Sequence, residues 1–70
     1  METYRLSPLG LDDKYHSVMR LSDMACIPFD PMNTDYRQFK QDVLDGATLE
    51  DVDGNAMTQK DAEAFIATLP

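Results

Sequence analysis

The sequence has little of several residue types that small proteins use for stability or catalysis. Its 70 residues include no tryptophan, one cysteine (Cys26) and one histidine (His16). A lone cysteine cannot close an internal disulfide, and one cysteine with one histidine cannot supply the ligands of a zinc site. The three glycines are scattered, so they cannot build a phosphate-binding loop. The composition therefore excludes a disulfide framework and disfavours bound zinc or nucleotide.

Positive charge is also scarce. Six lysines and arginines face thirteen aspartates and glutamates, which gives a net charge of −7. Affinity for DNA or RNA depends on neutralising phosphates with basic side chains, so we expect no nucleic-acid partner. The sequence also has no apolar run of about 18 residues and no signal peptide, which predicts a soluble chain without membrane contact.

What the sequence does contain is enough apolar material for one small core. The hydrophobic fraction is 43%, with three tyrosines and three phenylalanines. A chain of this length buries only about 60% of its unfolded surface, so its core is marginal. We expect a single domain over residues 1–70 that is either efficiently packed or supported by a partner.

The first third of the sequence predicts strands. Residues 3–6 alternate in polarity and are followed by Pro8 and Gly10, which break a strand. Residues 11–24 fit two patterns almost equally, an amphipathic helix or a strand leading into a turn at Ser22 and Asp23. The short apolar segment ending at Ile27 favours the turn, because it needs a neighbouring strand to pair with. We therefore predict a β-hairpin here.

Two helices follow. Asn33 is a suitable N-cap for the first, and Gly46 is suited to end it. The second begins at Thr58 and runs to the end of the chain. Residues 47–57 are predicted to form an acidic loop between the helices. The predicted fold class is α+β: a small antiparallel sheet, made of the hairpin and the N-terminal strand, packed by one helix, with a second helix at the C-terminus.

The residues offer no recognisable catalytic or metal-binding pattern. If the acidic loop were an EF-hand centred on Gly54, Lys60 would occupy the position of the bidentate glutamate and repel calcium. His16 has Asp12 and Asp13 as its nearest acids, but no motif supplies a nucleophile. Cys26 lies among apolar neighbours and is expected to be packed. We therefore expect no enzymatic activity and no cofactor.

Residues 20–46 resemble a known family of proteins. The run Arg20-Leu21-Ser22-Asp23, then Ile27-Pro28, Asp30-Pro31, Asn33, Asp35-Tyr36 and Gly46 resembles a pattern in small tail-associated proteins of tailed bacteriophages, including those called tail-fibre assembly-like. The pattern describes a hairpin, a rigid connector and a capped helix. Met24 departs from it, because the resembling sequences have a turn glycine there.

The resemblance implies a non-enzymatic phage structural or assembly protein, a minor virion component or adaptor of the tail or its fibres. Its partners would be other tail or fibre proteins in a multi-copy assembly, and its location the virion tail, with the host cytoplasm during assembly. The predicted contact patch is the exposed sheet edge together with Phe29, Met32 and Tyr36.

Two alternatives stay open. One is an acidic phage-encoded inhibitor of a host protein, whose carboxylates would enter a basic cleft. The side chains that would form this surface are Asp42, Asp45, Glu50, Asp51 and Asp53. The other is a tail assembly chaperone that is absent from the finished particle.

Overall fold

The computed structural model describes residues 2–70 and contains four strands and two helices. In chain order these are β1 (Thr3–Leu6), β2 (Ser17–Arg20), β3 (Ala25–Pro28), α1 (Thr34–Leu44), β4 (Thr48–Glu50) and α2 (Gln59–Ala67). The strands form one sheet in the order β3-β2-β1-β4. The predicted α+β class, with its hairpin, N-terminal strand and two helices, is confirmed.

The sheet contains one strand that the sequence did not predict. β4 pairs with β1 in parallel, with Tyr4 opposite Leu49, so the sheet is mixed rather than antiparallel. Residues 48–50 lie inside the segment predicted as an acidic loop, and that prediction is wrong for them. The reason is packing. Leu49 is fully buried in the core, and the strand that places it there also includes the acidic Glu50.

β2 and β3 form the predicted hairpin, with Val18 opposite Ile27. The connection is longer than the predicted two residues, since residues 21–24 all lie in the turn. Met24 ends it with a φ of 58° in the left-handed region. Arg20 holds the turn to the start of α1, because its guanidinium contacts Asp23 at 2.8 Å and Asp35 at 3.5 Å.

Both helices begin at the predicted caps. The Asn33 side chain accepts a hydrogen bond from the Tyr36 backbone N–H, and the Thr58 hydroxyl accepts one from the Asp61 backbone N–H. These bonds satisfy amides that the first helical turn leaves without partners. Gly46 follows the end of α1 with a φ of 108°, a conformation that glycine adopts without steric cost.

The helices cover one face of the sheet. Alternate residues of the four strands point to this face and are buried with apolar residues of both helices. The core consists of Tyr4, Leu6, Val18, Ile27, Tyr36, Phe39, Val43, Ala47, Leu49, Ala62 and Ile66. No buried side-chain polar atom within residues 2–70 lacks a hydrogen-bond partner.

The opposite face of the sheet has no helix over it. Cys26 lies on this face, opposite Met19 on β2, and is exposed. The expectation that Cys26 is packed is therefore wrong. Its apolar neighbours in sequence do not bury it, because successive side chains of a strand point to opposite faces.

Neither edge of the sheet offers a long free strand. On the β3 side, Pro28 has no N–H, and its carbonyl accepts a hydrogen bond of 2.9 Å from the Asp30 backbone N–H. On the β4 side, the Met57 backbone N–H donates to the Leu49 carbonyl at 2.8 Å, so the chain itself covers that edge. The part of the sheet edge left open to a partner strand is therefore on β3, before Pro28.

Candidate functional site

A groove of about 480 Å³ lies between the β1–β2 loop, the end of β3 and the end of α2. We call it the aromatic groove. Its lining consists of Asp13, Lys14, Tyr15, His16, Phe29, Phe65, Thr68, Leu69 and Pro70. These residues come from three separate parts of the chain, which the sheet and α2 bring together.

Three aromatic rings, together with Leu69 and Pro70, form the apolar part of the groove. The ring centroids of Tyr15 and Phe65 are 5.8 Å apart in an edge-to-face arrangement, and those of Phe29 and Phe65 are 6.3 Å apart. All three side chains are only partly buried. On its inner side, the Phe29 ring stacks on Phe39, a fully buried residue of the core, with 6.0 Å between the two ring centroids. The groove is therefore a rigid aromatic surface built directly on the core.

One wall of the groove carries a histidine with a fixed orientation. The His16 Nε2 atom lies 2.8 Å from a carboxylate oxygen of Asp12, and the side chains are about half exposed. The hydrogen bond to His16 is the main reason that the pKa of the Asp12 carboxyl lies below its usual range. His16 is thus an exposed loop histidine paired to Asp12.

The three residues predicted as a contact patch have different environments. Phe29 lines the aromatic groove, as a partner-binding role requires. Met32 is 82% exposed, but it is not among the groove residues. Tyr36 is fully buried, so its prediction as a contact residue is wrong. It faces the core because it belongs to the apolar stripe of α1 with Phe39 and Val43.

Tyr36 instead contacts Pro70, one of the residues that line the groove. Its hydroxyl donates a hydrogen bond of 2.7 Å to the main-chain oxygen of Pro70, and the Lys40 ammonium donates one of 2.9 Å to the same atom. The Lys40 Nζ atom also lies 5.2 Å from the centre of the Tyr36 ring. Since Pro70 lines the groove, these contacts hold one of its walls against α1.

The acidic-inhibitor alternative depends on a surface of five carboxylates. Most of these carboxylates form hydrogen bonds or ion pairs with other residues of the chain. Asp42 accepts a hydrogen bond of 2.6 Å from the Tyr4 hydroxyl, and Glu50 forms an ion pair of 2.8 Å with Arg5. Asp51 accepts backbone hydrogen bonds from Asp53 and Asn55 within its own turn, and chiefly the Asn55 bond lowers its pKa. These acids organise strands and turns.

Sequence reasoning missed Tyr15 and Phe65 as site residues. Phe65 follows the apolar spacing of the second helix, which predicts burial, and Tyr15 lies in a segment that fits two structures. The two residues are fifty positions apart, so no local pattern could place their rings together. The one available signal was at Tyr15, an aromatic residue between the polar Lys14 and His16.

Within residues 2–70, no group of three or more histidine, cysteine, aspartate or glutamate side chains could hold a metal ion. Over the same part of the chain, neither helix has the length and apolar character needed to cross a membrane. No protein-family model, curated protein or solved structure matches the chain.

Proposed function

We propose that the chain is a non-enzymatic binding protein, a structural or assembly component of a phage tail, and that it acts through the aromatic groove. One observation supports the binding role most directly: three partly exposed aromatic rings line a single groove. Aromatic residues are enriched where proteins bind one another, because they bury large areas with little loss of side-chain freedom.

The arrangement also favours a side-chain groove over strand addition. A partner that adds a strand needs a free sheet edge, and the β4 edge is covered by Met57 while β3 ends at Pro28. Leu11 is fully exposed in the β1–β2 loop, two residues before Asp13.

The phage context rests on the sequence resemblance alone. It implies that the partner is another tail or fibre protein and that the chain is present in several copies per particle. Assembly in many copies would also stabilise a small core, because binding to the folded state shifts the folding equilibrium.

Mass spectrometry of purified virions of the encoding phage tests this proposal. A minor tail component should be present at a fixed ratio to the known tail proteins in particles that have been washed at high salt. Presence in lysed cells but absence from the particles would contradict a structural role and leave the assembly chaperone. The groove itself is tested in these particles by Phe29→Ala, which should lower the incorporated amount, with Met32→Ala as the control.

The acidic inhibitor is the weaker candidate. It requires carboxylates that are free to enter a basic cleft, and Asp42, Glu50 and Asp51 already have partners within the fold. Salt dependence separates the two functions: an interaction based on charge mimicry should weaken steeply as ionic strength rises, and one based on an aromatic groove should weaken much less.

A further inference from the structure

The β1–β2 loop, which supplies one wall of the aromatic groove, is held together at the Asp12 carboxylate. The His16 Nε2 atom lies 2.8 Å from one oxygen of this carboxylate and 2.9 Å from the other. The Lys14 backbone N–H donates to the same carboxylate at 3.2 Å. Gly10 closes the loop, because its N–H donates to the Lys14 carbonyl at 2.9 Å. The loop conformation therefore depends on the contacts of one acidic side chain.

The His16 ring lies directly against the backbone of Gly10. A Cβ atom added to Gly10 would be 2.8 Å from the ring carbon Cδ2 and 3.2 Å from the ring Nε2. A side chain at this position would therefore displace the ring from Asp12. Glycine is needed here for space, since Gly10 is not among the residues with positive φ.

The folded loop also contains a residue whose conformation needs support. Asp13 has a φ of 60°, in the left-handed region, which has a steric cost for residues other than glycine. Its backbone N–H donates to the Gly10 carbonyl at 3.1 Å, and its side chain lines the groove. When the contacts at Asp12 weaken, the loop can open locally and release this strain.

We infer that the protonation state of His16 controls how firmly the β1–β2 loop is held, and with it the shape of the aromatic groove. With His16 protonated, its contact with Asp12 is an ion pair. Once His16 loses its proton, a neutral donor remains, and charge-assisted hydrogen bonds are roughly twice as strong as neutral ones. The consequence for binding rests on the proposed role of the groove, whereas the change in the loop does not.

The direction of the effect follows from the two partners. Histidine changes its charge between about pH 5 and 8, so the ion pair is lost as the pH rises through this range. The hydrogen bond from His16 is the main reason that the pKa of Asp12 lies below its usual range. Asp12 thus remains ionised at about pH 5, and its contribution is lost only as the pH falls through that lowered pKa. The loop is held most firmly between these two titrations.

The elements around His16 add no second group that ordinarily titrates over the same range. Its own loop contributes Asp13 and Lys14 to the groove lining. Asp30 is the next charge along the chain after β3, and Lys40 of α1 is hydrogen-bonded to a main-chain oxygen of the groove wall. Within residues 2–70, α2 contributes no charged side chain to the lining. The chain has no other histidine, so His16 accounts for the change.

Hydrogen exchange followed by NMR tests the inference on the isolated full chain. The exchange rates of the Gly10 and Asp13 amides are compared with their intrinsic rates at pH 5.5 and at pH 8. Their protection should fall by about two- to fivefold at the higher pH, the size of an exposed charge interaction. Nuclear Overhauser contacts between the rings of Tyr15 and Phe65 should weaken with it. Protection that is equal or higher at pH 8 would overturn the inference, and an unchanged ring contact would overturn its extension to the groove.

Two matched variants separate the Asp12–His16 pair from charge in general. Asp12→Asn and Asp13→Asn each remove one negative charge from the same loop, and Asp12 is the one that contacts His16. Asp12→Asn should abolish the pH dependence of loop protection, whereas Asp13→Asn should keep it. The same result in both variants, in either direction, would contradict the role assigned to the pair.

Gly10→Ala tests the pair without changing any charge. The added Cβ displaces the His16 ring, so loop protection should be low at pH 5.5 and nearly independent of pH. Amides of the sheet are the internal control and should keep their protection in every variant. A Gly10→Ala chain that keeps the full pH dependence would show that the His16 contact does not hold the loop. Because these measurements use the isolated chain, their outcome does not depend on whether the chain is found in virions, which is the test of the proposed function.

Discussion

At the scale of single residues, Met24 has a backbone conformation that does not suit its side chain. Its φ of 58° is in the left-handed region, which costs a non-glycine residue roughly 1–2 kcal/mol. The side chain is 65% exposed and so recovers little by packing. A glycine at this turn position would have no steric cost.

Met24→Gly is therefore expected to stabilise the protein. The gain should be about 0.5–1 kcal/mol in the free energy of unfolding, after the greater flexibility of glycine in the unfolded chain is subtracted. Urea denaturation measures it. Met32→Gly is the control, since Met32 is also exposed but has no positive φ, and it should leave stability unchanged or lower it. A loss of stability in Met24→Gly would contradict the assigned strain.

Two buried tyrosines make stability depend on pH in the alkaline range. Burial, together with the hydrogen bond to Asp42, raises the pKa of Tyr4 well above its ordinary value of 10.0. Burial also raises the pKa of Tyr36. The folded protein thus keeps these protons at a pH where the unfolded chain loses them. Their contribution to stability is complete below about pH 10 and is lost as the pH rises further.

Tyr4→Phe checks this effect. At pH 8 the variant should be less stable by about 1–2 kcal/mol, since it lacks the hydrogen bond to the Asp42 carboxylate. Between pH 9 and 11 its urea midpoint should fall less steeply than that of the parent protein. The double variant with Tyr36→Phe should show the smallest decline. An unchanged slope in all variants would mean that the two hydroxyls do not cause the alkaline loss.

At the scale of elements, local signals predicted most of the fold. The side chains of Asn33 and Thr58 cap the helices where the sequence placed them, and the pairing of Val18 with Ile27 confirms the hairpin. Caps and apolar stripes are encoded in a few adjacent residues, so one sequence is enough to find them. A parallel strand is different, because its partner lies far away in the chain. β4 pairs with β1 across more than forty residues, and nothing near Leu49 indicates it.

The same difference between local features and long-range contacts explains which residues of the candidate site could be predicted from the sequence. Phe29, predicted as a contact residue, lies between Pro28 and Asp30, which are typical of turns, and this is a local feature. Tyr15 and Phe65 meet only after the sheet and α2 are assembled, so their contact of 5.8 Å was beyond local reasoning. Tyr36, predicted as a contact residue, belongs to the apolar stripe of α1, and packing of that stripe on the core explains its burial.

Leu49 allows a direct test of β4. It is fully buried, whereas Leu44 at the end of α1 is 49% exposed. Leu49→Ala should lower the free energy of unfolding by about 2–4 kcal/mol, the usual effect of truncating a buried leucine. Leu44→Ala, the same chemical change at the surface, should cost about 1 kcal/mol or less. Denaturant titration of both variants distinguishes a core strand from a solvated loop, for which the two losses would be similar.

At the scale of the whole molecule, packing of the core stabilises the folded state and the net negative charge destabilises it. The described part of the chain has ion pairs at Arg5–Glu50 and around Arg20, and these engage only a few of the thirteen acids. Most of the remaining negative charge is at the surface and repels itself. A small core therefore carries a net charge that lowers its stability.

Salt should therefore stabilise the isolated protein. Raising the NaCl concentration from 10 mM to 0.5 M shortens the range of the repulsion, while the exposed ion pairs lose little because each contributes little. The free energy of unfolding should rise by about 1 kcal/mol or less, the size of a few exposed charge interactions. In Asp45→Asn with Asp53→Asn, which starts from a charge nearer zero, the rise should be smaller. Thermal denaturation at both salt concentrations measures each value, and a protein that loses stability with added NaCl would show that its ion pairs outweigh the repulsion.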